Sequence, residues 1–253
     1  MIKVRVMPCL LVRELVLVKT VRFSEYYRPI GTPRQAVRVF NSRDVDEMLI
    51  LDIDATVRGR GPSLETVADL AKECFMPLTI GGGIRSIDDI RNVLRVGADK
   101  VCINTEAVNR PHFVRDASRV FGSQCIVVSM DMRCKGPGIY EVYTMGGRQP
   151  TGLDPVEWAK RVEDLGAGEI LLTSIDRDGT MQGYDIDAIE RVAEAVERPV
   201  IACGGAGDLP DFADAILKGH ASAVAAASIY HFTETTPGNV KAHMRERGID
   251  TRI

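Results

Sequence analysis

The chain has 253 residues and a formal net charge of -3 with a pI near 5.9, which argues against a general nucleic-acid-binding surface. With 45% apolar and 26% charged residues, it carries ample material for a core. The one amino-terminal apolar run, Val6 to Val12 between Arg5 and Arg13, is too short to span a bilayer and lacks a cleavage pattern, so no membrane association and a cytoplasmic location are expected.

Short β-branched, apolar runs predict strands near residues 3–9, 47–53, 78–81, 100–103, 125–130, 169–174, 200–203 and 221–226. Helices fill the gaps, beginning near Thr32, Ser63, Ser86, Arg110, Asp154, Asp185, Leu209 and Pro237. The longest irregular stretch, residues 20–31, holds Tyr26, Tyr27, Arg28 and Pro29 and reads either as a lid or as a disordered connection. Cys9, Cys102, Cys125 and Cys203 fall inside predicted strands, and with Cys74 and Cys134 they show no CxxC spacing. Buried free thiols are therefore expected, not disulfides or a metal site. His112, His220, His231 and His243 lack partners at ligand spacing, so neither a metal nor a cofactor is expected.

One stretch is written twice. Residues 76–108 recur at 198–230 without a gap, pairing Pro77 with Pro199, Gly82 with Gly204, Gly83 with Gly205 and Gly97 with Gly219. The same offset pairs Pro33 with Pro155, Glu47 with Glu169, Leu49 with Leu171, Ile53 with Ile175 and Asp54 with Asp176. In each copy an apolar run leads through glycines to a capped helix, Ser86 with Asp89 and Asp208 with Asp211, which ends at Gly97 or Gly219. Such units require parallel strands. Four per half make eight, predicting one (β/α)8 barrel domain over residues 1–253, built of two similar half-barrels.

The chemistry of such a barrel lies at the carboxyl ends of its strands. There Gly82 and Gly83, and again Gly204 and Gly205, precede helix starts and read as two anion cradles, although a glycine loop can also serve only its turn. Asn104 and Thr105 complete the first cradle, Ala227 and Ser228 the second. Strands three and seven stand four apart in a ring of eight, so the cradles face each other and suit a substrate with a phosphate at each end. Between them, Asp52, Asp54, Asp131, Asp176 and Asp178 end strands. Asp131 reads as a general acid or base, while structural or ligand-orienting roles fit Asp52, Asp54 and Asp176 better.

The segments LILDIDAT, IGGGIRS, GADKVCINTEAV, GAGEILLTSIDRDGTMQGYD and ACGGAG resemble the cyclase subunit of imidazole glycerol phosphate synthase, the HisF family. The resemblance runs from Arg5 to about Phe232. It implies a glutaminase subunit (HisH-like) at the amino-terminal face, whose ammonia crosses the barrel to form imidazole glycerol phosphate and an aminoimidazole carboxamide ribotide in histidine biosynthesis. It also implies an ammonia gate of Arg5, Glu47, Lys100 and Glu169, all at predicted strand starts, with small side chains such as Cys9, Thr79 and Cys102 beyond. By the same resemblance Asp99 contacts the glutaminase and Lys19 is retained beside the substrate, while Asp178, read from its place after strand six, is a further ligand-orienting acid.

One departure stands out. Where the family places a second catalytic aspartate on strand one, the segment Pro8-Cys9-Leu10-Leu11-Val12 has Leu11. A leucine transfers no protons, and an acid–base group typically supplies about 10²–10⁴-fold in rate. The segment and the following LVKTVRF resemble HisF-like paralogues of surface-polysaccharide gene clusters. That second resemblance implies ammonia delivery to a third enzyme that amidates a nucleotide sugar in lipopolysaccharide synthesis.

Overall fold

The computed structural model describes residues 3–252. In chain order its elements begin with β1 (Arg5–Arg13), β2 (Val16–Thr20), β3 (Tyr27–Gly31), α1 (Pro33–Phe40), β4 (Met48–Asp52), α2 (Leu64–Glu73), β5 (Leu78–Gly81) and α3 (Ile87–Arg95). Next come β6 (Lys100–Ile103), α4 (Thr105–Asn109), α5 (His112–Phe121), β7 (Ile126–Gly136), β8 (Ile139–Thr144), β9 (Gln149–Pro150) and α6 (Pro155–Asp164). The chain closes with β10 (Glu169–Ser174), α7 (Ile186–Ala193), β11 (Val200–Cys203), α8 (Leu209–Leu217), β12 (Ala223–Ala226), α9 (Ser228–Phe232) and α10 (Pro237–Glu246).

Eight parallel strands pair in the ring β1-β4-β5-β6-β7-β10-β11-β12, and β12 returns to β1 through Arg5 opposite Ala223. The ring of eight closes without a free edge, as a (β/α)8 barrel requires. The two glycine-loop units match closely: β5 and α3 recur as β11 and α8. Their helices start at Ser86 and Asp208, each in a reciprocal capping box with Asp89 or Asp211.

Alternation along the strands sorts side chains into two cores. Val6, Leu10, Ile50, Val128 and Ile170 face outward into the layer beneath the helices. Met7, Cys9, Leu11, Leu49, Val127, Leu171 and Ile201 form the separate inner cluster.

The sequence reading misses two hairpins. Residues 20–31 are neither a plain lid nor disordered: β2 and β3 pair antiparallel and extend β1. Their signal is hidden because the two-residue turn after β1 is Glu14-Leu15, both left-handed at φ 49° and 67°, where Asn-Gly would announce such a turn. Likewise the strand predicted at residues 125–130 continues to Gly136 and folds back as β8. Cys125 lies in a 3₁₀ turn ahead of that strand, half-buried, not within it. All six cysteines are free.

Candidate active site

At the carboxyl ends of the strands a cavity of about 300 Å³ opens above Cys9, Cys102, Ser129 and Cys203. Among the acids lining it is Asp131, on β7. Asn104 Nδ2 donates to Asp131 Oδ2 at 2.7 Å, and Ser129 Oγ donates to Oδ1 at 3.3 Å. Burial pushes the Asp131 carboxyl up to about 7, with the nearby Asp178 charge adding to it and the two hydrogen bonds opposing it. A carboxyl poised near neutrality can both give and take a proton. Across the barrel, on β1, Leu11 is buried and lines the same cavity.

The other acids are already engaged. Arg60 clasps Asp52 with two bonds of 2.7 and 2.8 Å, and Asp54 takes Arg13 at 2.9 Å and Arg58 at 3.0 Å. Lys19 Nζ bridges both Asp178 oxygens at 3.0 and 3.1 Å, a buried pair. Asp176, expected to orient a ligand, accepts from the Cys134 amide at 2.8 Å and faces Arg133. Its carboxylate thus braces the β7–β8 hairpin, the structural one of the two roles expected for it, and is not among the groups lining the cavity. Residues 21–26 are tied down over the mouth: the Arg22 amide donates to the Asp178 carbonyl at 2.8 Å, and Arg148 reaches Glu25 at 3.3 Å.

The glycine loops sit where the sequence puts them, but neighbouring backbone explains their glycines. A Cβ on Gly82, at φ +104°, would lie 2.2 Å from the Asp52 carbonyl; one on Gly205 would lie 2.1 Å from that of Gly183. Gly82→Ala is therefore expected to lower stability by about 2 kcal/mol or more through strain and clash, checked by urea denaturation. The Gly83 amide already donates to Thr56 Oγ1 at 3.1 Å, and Thr105 Oγ1 accepts from the Met145 amide at 3.1 Å. At the second loop, by contrast, Ser228 Oγ is buried without a partner. It lines a separate cavity of about 20 Å³ with Gly204, Gly205, Lys19 and Asp178.

At the opposite end the four strand-start charges meet. Arg5 Nη1 donates to Glu47 and Glu169, both at 2.8 Å, and Lys100 Nζ donates to the same two acids at 2.8 and 2.9 Å. Burial disfavours both Arg5 and Glu47 as ions, yet the opposite charges prevail: Glu169 and Glu47 raise the guanidinium, Arg5 and Lys100 lower the Glu47 carboxyl. The space beyond is not lined by small side chains alone. Met7, Leu49, Val127, Leu171 and Ile201, none more than 1% exposed, fill the layer between this ring and the cavity floor. Cys9, Thr79 and Cys102 are small inward residues among these large ones, as are Ala223 and Ala225. Asp99, at the same end, accepts from the Leu78 amide at 2.8 Å.

A parallel eight-stranded barrel with a carboxyl raised toward neutrality at its mouth, paired glycine loops and a charged ring at its base defines a (β/α)8 protein of the half-barrel-repeat class. Residues 5–236 match the family described as Histidine biosynthesis protein, and the chain belongs to that family. Among the described residues, no group of three or more His, Cys, Asp or Glu side chains could hold a metal ion, and no helix is long and apolar enough to cross a membrane.

Proposed function

We propose that this chain is a HisF-like barrel subunit of a glutamine amidotransferase pair. It takes ammonia from a glutaminase at its amino-terminal face and passes it to the mouth for amidation of a nucleotide sugar by a third enzyme in lipopolysaccharide synthesis. The observation that carries this reading is the conjunction of the closed Arg5–Glu47–Lys100–Glu169 ring with Leu11 opposite Asp131: the features for handling ammonia are kept, and one of the two groups needed for ring closure is gone. A charged collar over an apolar layer discriminates by charge. Ammonium faces an idealised desolvation cost on the order of tens of kcal/mol, whereas neutral ammonia crosses as the buried side chains part.

A genuine cyclase is the second reading, favoured by Asp131 and the two retained glycine loops. Purified protein supplied with ammonium salt and the bisphosphorylated ribulosyl-imidazole precursor separates the two. Little turnover is expected from the native chain, and Leu11→Asp, by restoring a carboxylate across from Asp131, raises kcat/KM by about 10²-fold. Native turnover matching an ordinary cyclase, unimproved by Leu11→Asp, defeats the delivery reading.

A further inference from the structure

We propose that the rim of the mouth carries a site for the diphosphate group of a nucleoside-diphosphate ligand, built by Arg22, Arg133 and Arg177. This rests on the delivery reading and names the part of the ammonia acceptor that the barrel itself holds. Three segments distant in sequence bring the arginines together: residues 21–26 over the mouth, β7, and the loop after β10. Arg22 Nε donates to the Asp176 carbonyl at 3.0 Å, Arg133 Nη1 stands 3.6 Å from the Asp176 carboxylate, and Arg177 is the next residue in the chain. None of the three, nor Asp176, lines either cavity. The cluster therefore lies outside the space beneath the glycine loops.

Positive charge is left over here. One carboxylate serves three guanidiniums: it stands beyond hydrogen-bonding distance of Arg133, and its other oxygen already takes the Cys134 amide at 2.8 Å. Among the described residues neither Arg22 nor Arg177 has a carboxylate partner, and Arg177 spends only its Nη1, on the Gln182 carbonyl at 3.1 Å. Other arginines of the mouth are matched, Arg13 by Asp54, Arg60 by Asp52 and Arg148 by Glu25. Gathering like charges with too few counter-charges is unfavourable until an anion joins them. Each guanidinium keeps unused N–H groups, and arginine grips phosphate oxygens with paired hydrogen bonds. Three such groups suit two linked phosphates better than one. Tyr26, on the same segment as Arg22, is 84% exposed, an uncovered ring on which a nucleobase can stack.

Calorimetric titration of the full chain with uridine diphosphate, uridine monophosphate and inorganic pyrophosphate tests this without any glutaminase, so a failure of ammonia transfer is read separately. Uridine serves as the probe because stacking tolerates any base. The diphosphate is expected to bind at least about fivefold tighter than the monophosphate, and Arg22→Ala and Arg177→Ala should each weaken it roughly tenfold. Arg133→Gln, which breaks no hydrogen bond among the described residues, should cost about as much and guards against a variant that merely unseats the segment over the mouth. Tyr26→Ala should weaken uridine diphosphate by about fivefold and leave pyrophosphate within about twofold. Equal affinity for the two nucleotides, affinity unchanged by all three arginine variants, Tyr26→Ala binding uridine diphosphate normally, or no binding of uridine diphosphate at millimolar concentration would each overturn the inference.

Discussion

Asp131→Asn is expected to make the protein more stable at pH 8, by roughly 3–4 kcal/mol, and to change it little near pH 4. The carboxyl is raised from 3.8 to about 7 in the folded chain, chiefly by burial. Below pH 4 it is protonated whether folded or unfolded, so the difference contributes nothing. Between pH 4 and 7 the unfolded chain ionises it while the folded chain resists, and the penalty grows until both forms are ionised above 7. Asparagine keeps the shape, can still bond Asn104 and Ser129, and carries no charge to bury. Urea denaturation of both proteins at pH 4.5, 6 and 8 checks this; a stability difference flat across that range would mean that burial does not raise the carboxyl. The same replacement removes the carboxyl raised toward neutrality at the mouth, so if Asp131 moves a proton in the proposed cyclase reading, gained stability should accompany lost turnover.

Much of this was legible in the sequence because the repeat is rigid. Two glycine loops at one offset, each after an apolar run and before a capped helix, admit little besides paired strand–helix–strand units, and β5, α3, β11 and α8 begin and end within a residue or so of where the pattern puts them. The acid-rich strand ends were equally visible, since aspartates at such places are read directly. What sequence could not weigh was competition among them. Asp52 and Asp54 differ from Asp131 through Arg60, Arg13 and Arg58, which belong to a loop and another strand, and Asp176 is turned outward by a hairpin whose Glu14-Leu15 counterpart was also invisible. The interior layer of Met7, Leu49, Leu171 and Ile201 is spelled out in the strands. Yet whether it leaves a passage depends on how four large side chains interdigitate, which no periodicity reports.

The charged ring at the base gives the other large effect. Arg5→Met leaves Glu47 and Glu169, which Arg5 holds at 2.8 Å on either side, with Lys100 between them and Arg252 reaching Glu47 only at 3.9 Å. Breaking such a buried pair costs about 3–5 kcal/mol, which in a chain of this size lowers the thermal midpoint by roughly 10 °C. Because its partners hold the Glu47 carboxyl below its ordinary value, the stability it lends is present above about pH 4.5 and is lost as pH falls through the folded value. The penalty of Arg5→Met should shrink there too. Stability alone does not separate a gate from a plug, since either would suffer. The double change Arg5→Met with Glu47→Leu does: apolar replacements of a buried pair recover most of the lost stability, and Lys100 and Glu169 still neutralise each other. If the ring selects ammonia by charge, the doubly changed protein, assayed with its glutaminase, should fold normally yet deliver less nitrogen per glutamine hydrolysed. An unchanged yield in a stable double variant would mean the ring only seals the barrel, and the delivery reading would lose its principal support.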